Sequence, residues 1–157
     1  MIYEKYKNNV EIPTDNKKAI RLYEEVSRII ENNINPEMTD YEKELALHDY
    51  IVANCQYGFV EGDEELAYEA YGALIQRHAV CNGYAEAFAL LLKCVDIENN
   101  IITGMADNQL HAWNLVKLDG EWYQIDVTWD DPTPDRGDFV GHEYFNITDD
   151  IMSDTHE

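Results

Sequence analysis

The chain has 157 residues, 45% of them hydrophobic and 11% aromatic. That is enough to bury a core as one domain, and it excludes a disordered chain. Its 32 acidic residues against 11 Lys and Arg give a net charge of −21. This argues against nucleic acid and anionic membrane surfaces as partners and favours neutral or basic polypeptides, though such charge also serves solubility. No apolar run approaches the roughly 18 residues that span a bilayer, and Met1-Ile-Tyr-Glu-Lys-Tyr6 is too polar for a signal peptide.

Residues 1–13 are polar and are expected to be extended or frayed. Thr14 or Asp15 then caps a helix to about Asn32, with Ala19, Leu22, Tyr23, Val26, Ile29 and Ile30 on one apolar face. Asn32-Asn-Ile-Asn-Pro36 breaks it. Thr39-Asp-Tyr-Glu42 is a capping box, so a second helix starts there and runs to about Asn54, with Tyr41, Leu45, His48, Ile51 and Val52 as its stripe. Gln56 to Phe59 reads as a turn or loop, and a short helix is expected from Glu64 to about Gln76. Alanine and leucine dominate Cys81 to Cys94, which predicts a helix burying Ala85, Phe88, Ala89 and Leu92. Glu98-Asn-Asn100 reads as a turn, Ile101 to Thr103 as a strand and Ala106 to Gln109 as a polar loop.

Two strands follow, His111 to Leu118 and Glu121 to Thr128, joined by Asp119-Gly120, a strong hairpin signal. With those two as loop residues, Leu118 faces Glu121; counting outward, Trp113 faces Asp126 and His111 faces Thr128. Side chains alternate with period two, so His111, Trp113, Trp122 and Asp126 share a face, with His111 and Asp126 as diagonal neighbours. A shift of one residue would separate them. Asp130 to Gly137 is expected to be a solvated acidic loop, since Asp130, Asp131 and Asp135 lack the spacing and glutamate of a calcium-binding EF-hand. Tyr144 to Ile147 reads as a short strand, and Thr148 caps a last helix. Helices first, then an antiparallel sheet with the Cys81 helix packed on it, is an α+β architecture. Residues 1–38 form an N-terminal helical extension and 39–157 the main domain.

The histidine–carboxylate pair needs a nucleophile, and Cys81 is the candidate. It lies at or just before the first turn of its helix, where partial positive charge favours a thiolate and backbone N–H groups can hold an oxyanion. Cys55 and Cys94 read as ordinary thiols, and three cysteines complete no disulfide framework. His78 stands three before Cys81, but the other ligands of a metal site are missing and there is no CxxC. His48 reads as a packed or capping histidine. His142 and His156, placed in loops, carry no argument.

The segments Tyr71-Gly-Ala-Leu74, Ala79-Val-Cys-Asn-Gly-Tyr-Ala-Glu-Ala-Phe88, His111-Ala-Trp-Asn114 and Trp122-Tyr-Gln-Ile-Asp126-Val-Thr-Trp-Asp-Asp-Pro132 resemble the bacterial transglutaminase-like domains, which belong with the papain-like thiol enzymes. The resemblance covers roughly residues 40–150. It implies a papain-like core and a catalytic domain over 39–157, with Cys81 as nucleophile, His111 as base and Asp126 as its orienter. Ala79 and Asn82 depart from the glycine and glutamine common in the family; neither is one of the three triad positions. An upstream aromatic or amide side chain is further implied as an oxyanion donor, and Tyr57 is the candidate. Trp129 is the candidate wall of an acyl-substrate cleft.

The implied reaction is acyl transfer on protein or peptide amides through a Cys81 thioester, with no metal or organic cofactor. Release to water makes a protease or amidase; release to a lysine amine makes a cross-linking enzyme. A non-catalytic binding module at the cell surface is the alternative. Many such domains are extracellular, and Ile151 to Glu157 breaks off mid-pattern. A domain of a longer, secreted chain is therefore expected, with a cytoplasmic protein as the other reading.

Overall fold

The computed structural model describes residues 1–131 and 140–156. The prolines of the expected loop, and Asp135 with them, lie outside the described residues.

Thr39 starts the helix on which the N-terminal half packs. Its hydroxyl accepts the Glu42 N–H at 3.2 Å, and the Glu42 carboxylate accepts the Thr39 N–H at 3.0 Å. This satisfies donors at each side of the helix start. The helix α3 (Asp40–Asn54) buries Glu44, Leu47, His48, Ile51 and Val52. The buried stripe thus runs through Glu44 and Leu47 where Tyr41 and Leu45 were expected. Burial pushes the Glu44 carboxyl up to about 7, and Asn146 donates to it at 2.6 Å. Before α3, Asn16 caps α2 (Lys17–Asn33), which buries Val26, Ile29 and Ile30. The first residues are not frayed. Ile2–Asn8 form a helix, α1, ended by Asn9 in the left-handed conformation. Ile2 and the partly buried Tyr3 and Tyr6 anchor it to the core.

After α3 the chain makes a two-residue strand, β1 (Gln56–Tyr57), where a loop was expected. It pairs in parallel with β2 (His78–Ala79). Between them the expected single helix is two pieces, a 3₁₀ turn (Glu64–Tyr68) and a π turn (Gly72–Gln76). The two pieces pack closely at Gly72, where a Cβ would lie 2.1 Å from the Leu66 carbonyl oxygen. The helix α4 (Cys81–Cys94) then runs through the centre of the molecule, with Tyr84, Phe88, Leu91 and Leu92 fully buried.

The sheet is antiparallel in the order β3 (Asn99–Ala106), β4 (Gln109–Leu118), β5 (Glu121–Ile125). Both connections are two-residue turns with left-handed central residues, Asp107-Asn108 and Asp119-Gly120. Such turns match the twist of the flanking strands. The expected register holds: Leu118 pairs with Glu121 and Asn114 with Ile125. Ala112, Asn114, Val116 and Leu118 form the buried face of β4. The Asn114 amide donates to the Ala85 carbonyl at 3.1 Å, tying sheet to helix. β5 ends earlier than expected. Asp126 accepts the Trp129 N–H at 3.0 Å and caps a single turn, α5 (Val127–Asp130). Tyr144 to Ile147 makes only an isolated bridge, from Ile147 to Gln124. Thr148 precedes the last turn, α6 (Asp149–Met152). The fold is α+β with an antiparallel sheet and helices around one core.

Candidate active site

The chemistry-bearing side chains come from three elements. Cys81 is the first residue of α4, with Val80 as its cap. His111 stands near the start of β4. Asp126 follows β5 and caps α5. The His111 Nε2 lies 2.7 Å from Asp126 Oδ2, which leaves Nδ1 for Cys81. The sequence register put His111 and Asp126 on one face; the structure joins them through a carboxylate that has already left the strand.

Electrostatics separate the three cysteines. Burial pushes Cys55 up to about 12 and Cys94 up to about 11. Burial also raises Cys81, but His111, the Ala112 N–H and the Asn82 N–H more than reverse that, and its thiol sits below the ordinary value. Burial disfavours the His111 imidazolium, yet Asp126 and Cys81 hold it up to about 9. Burial likewise opposes an ionised Asp126, but hydrogen bonds from His111 and His156 and the Trp129 N–H keep it below the usual carboxylate range. A thiolate facing an imidazolium facing a carboxylate is the charge pattern these shifts favour.

His156 is the residue the sequence reading missed. Its Nε2 lies 2.7 Å from the same Asp126 oxygen that holds His111, and both side chains are fully buried. Its other nitrogen meets the Thr155 hydroxyl at 2.8 Å. Trp113, Trp129 and Tyr144 surround the ring, with centroids at 4.7, 4.6 and 5.8 Å. Nothing near position 156 in the chain announces this role, because the partner is 30 residues away. Asp130 and Asp131 are also not solvated. Both are buried, Asp130 against His48 at 2.9 Å and Asp131 against the Tyr84 hydroxyl.

An open cleft of about 800 Å³ exposes the pair. Tyr57, Cys81, Leu110, His111, Trp129 and His142 are among its walls. Tyr57 is half exposed. Trp129 packs 5.5 Å from the His111 ring, and Trp113 stacks at 6.0 Å. Trp122 shares their face but lies away from the cleft, with Lys117 over its ring. His78 bonds the Gln76 carbonyl at 3.0 Å and does not join Cys81.

Comparison with known proteins bears on the family and the fold. Kyphoscoliosis peptidase of Homo sapiens is 23% identical over 128 residues, 70% of this chain and 19% of that protein. Its Mus musculus counterpart is 21% identical over 141 residues, 78% of this chain and 21% of that protein. The chain therefore spans about a fifth of the length of these curated relatives. Among solved structures, a TGase superposes with a TM-score of 0.62 at 20% identity, over 80% of this chain and 37% of that one. A candidate cysteine protease from Cytophaga hutchinsonii superposes at 0.57 and 21% identity, over 72% of this chain and 39% of that one. At such identities the superpositions show a shared fold. Residues 27–127 match the sequence model of the transglutaminase-like superfamily, and the chain belongs to that superfamily.

Proposed function

We propose that this chain performs acyl transfer on protein or peptide amides through a thioester on Cys81, with His111 as base and Asp126 as the group that orients it. The observation that supports this most is the placement of a thiol of lowered pKa at the start of α4, opposite an imidazole held 2.7 Å from a buried carboxylate. His111 takes the Cys81 proton, and the thiolate adds to the carbonyl carbon. Backbone N–H groups of the first turn of α4 hold the oxyanion, with the Tyr57 hydroxyl as a second donor. The C–N bond then breaks, and the amine leaves with the proton returned by His111. Water or a second amine attacks the thioester and frees Cys81. Similarity to a peptidase and to a TGase spans both fates. The net charge of −21 favours neutral or basic polypeptides.

The test is incubation with a glutamine-containing peptide, with and without a primary amine, followed by mass spectrometry of Cys81 and of the products. Wild-type protein forms a Cys81 acyl adduct and releases acid or cross-linked product. Cys81→Ala, with an unchanged circular dichroism spectrum, forms neither. Equal turnover by Cys81→Ala would end the proposal.

A further inference from the structure

A second cluster of metal-ligating side chains borders the cleft, and acyl transfer makes no use of it. His48 Nδ1 lies 2.8 Å from Asp49 Oδ1, and His142 Nε2 lies 2.8 Å from the same oxygen. The three donor atoms are all within 4.8 Å of one another. Two imidazoles and a carboxylate suit Zn²⁺ and its neighbours in the first transition row, whereas Ca²⁺ and Mg²⁺ demand oxygen.

The surroundings fit as well. The far nitrogen of His48, Nε2, lies 2.9 Å from Asp130 Oδ2, and both side chains are fully buried. A histidine ligand ordinarily gives its other N–H to such a carboxylate, which fixes the ring and its tautomer. Asp130 is itself fixed, accepting the Tyr144 N–H at 2.8 Å. Asp49 and Asp130 place two carboxylates beside the two imidazoles, a charge that one dication balances. Asp49 and His142 are 38% and 45% exposed, so an ion reaches the site from solvent and keeps positions for water. A tetrahedral zinc shell spaces its donors about 3.3 Å apart. The Asp49 contacts must therefore open by about half an ångström, and the movement falls on two exposed side chains. Among the described residues the other such cluster, His111, Asp126 and His156, offers less: its carboxylate is fully buried and already holds a backbone N–H.

We propose that His48 Nδ1, Asp49 Oδ1 and His142 Nε2 bind a divalent transition metal of the zinc class at the edge of the cleft. His142 is also part of the cleft wall. The ion would clamp that wall to α3.

The site is tested in Cys81→Ala protein, which removes the thiol as a competing ligand and makes the result independent of acyl transfer. Co²⁺ titration followed by visible absorption should show one equivalent bound, and Zn²⁺ should raise the melting temperature. Adding His142→Ala, or separately Asp49→Asn, should weaken Co²⁺ binding at least tenfold and abolish the Zn²⁺ shift, with the circular dichroism spectrum unchanged. Absence of Co²⁺ binding by Cys81→Ala overturns the proposal. So does binding that survives both additional substitutions.

Discussion

Cys81 and His111 titrate as a pair, and their opposite shifts set a pH window. The thiol lies below its ordinary value and the imidazole is held up to about 9. Turnover is expected to rise on the acid side as the thiol ionises, and to fall as pH passes about 9 and His111 loses the proton the leaving amine needs. A pH–rate profile of kcat/KM checks this; an alkaline limb near 7 contradicts it. The same shift is a stability statement. An imidazole with a raised folded pKa adds stability that is complete below its unfolded value of about 6.5 and is lost as pH rises through about 9. His156 shares Asp126 with His111 and is expected to act as a positioning residue. His156→Phe removes one hydrogen bond from a buried, ionised carboxylate, a loss of about 1.5–3 kcal/mol in stability. It should also slow Cys81 alkylation and move its pH midpoint, while His156→Gln, which retains a donor, recovers part of both. An unchanged midpoint in His156→Phe would reduce His156 to a packing residue.

The hairpin was legible because its turn is chemical. Asp119-Gly120 fixes the loop length, and the loop length fixes which residues face each other. The capping box at Thr39 and the Ala/Leu run after Cys81 were legible for the same reason, since each is a local preference. What was missed is what the local pattern does not hold. Ile2, Tyr3 and Tyr6 recur at helical spacing, but only docking on the core makes that short polar helix stable. Asp126 ends β5 because its carboxylate caps the next turn; the Asp-Val-Thr-Trp129 run carried that cap signature. At this scale α4 depends on Gly83, where a Cβ would lie 2.3 Å from the Ala67 carbonyl oxygen and 2.7 Å from the Ala79 Cβ. Gly83→Ala should lift the first turn of α4, destabilise by about 1–3 kcal/mol and slow Cys81 alkylation. Urea unfolding with the midpoint unmoved would show that the backbone yields freely. Thr39→Ala, far from the cleft, should cost about 1 kcal/mol and leave alkylation untouched.

For the whole molecule, the order of helices and then an antiparallel sheet was readable from periodicity, and the superfamily match agrees with it. The approach of His156 to Asp126, and of His142 to Asp49, was not readable. Each joins segments far apart in the chain through contacts only the finished fold creates. The acidic run after Trp129 shows the same limit: composition suggests solvent, yet Asp130 and Asp131 are buried by partners on α3 and α4. Net charge acts at this scale too. A chain at −21 should attract basic polypeptides at long range, and salt screens that attraction. The kcat/KM for a lysine-rich peptide is expected to fall as salt rises from 0.01 to 0.15 M, with a neutral peptide little affected. Equal salt dependence for both would separate the charge from substrate choice.

The pairing of Cys81 with His111 is reached most directly by the rate of iodoacetamide alkylation against pH, assigned to Cys81 by mass spectrometry, in the wild type and in His111→Ala. The predicted midpoint lies below the ordinary thiol value of about 8.5 in the wild type and moves upward in the variant, with Cys55 and Cys94 unreactive in both. A Cys81 midpoint that is ordinary in the wild type and unmoved by His111→Ala would contradict the thiolate–imidazolium pair on which the proposed chemistry rests.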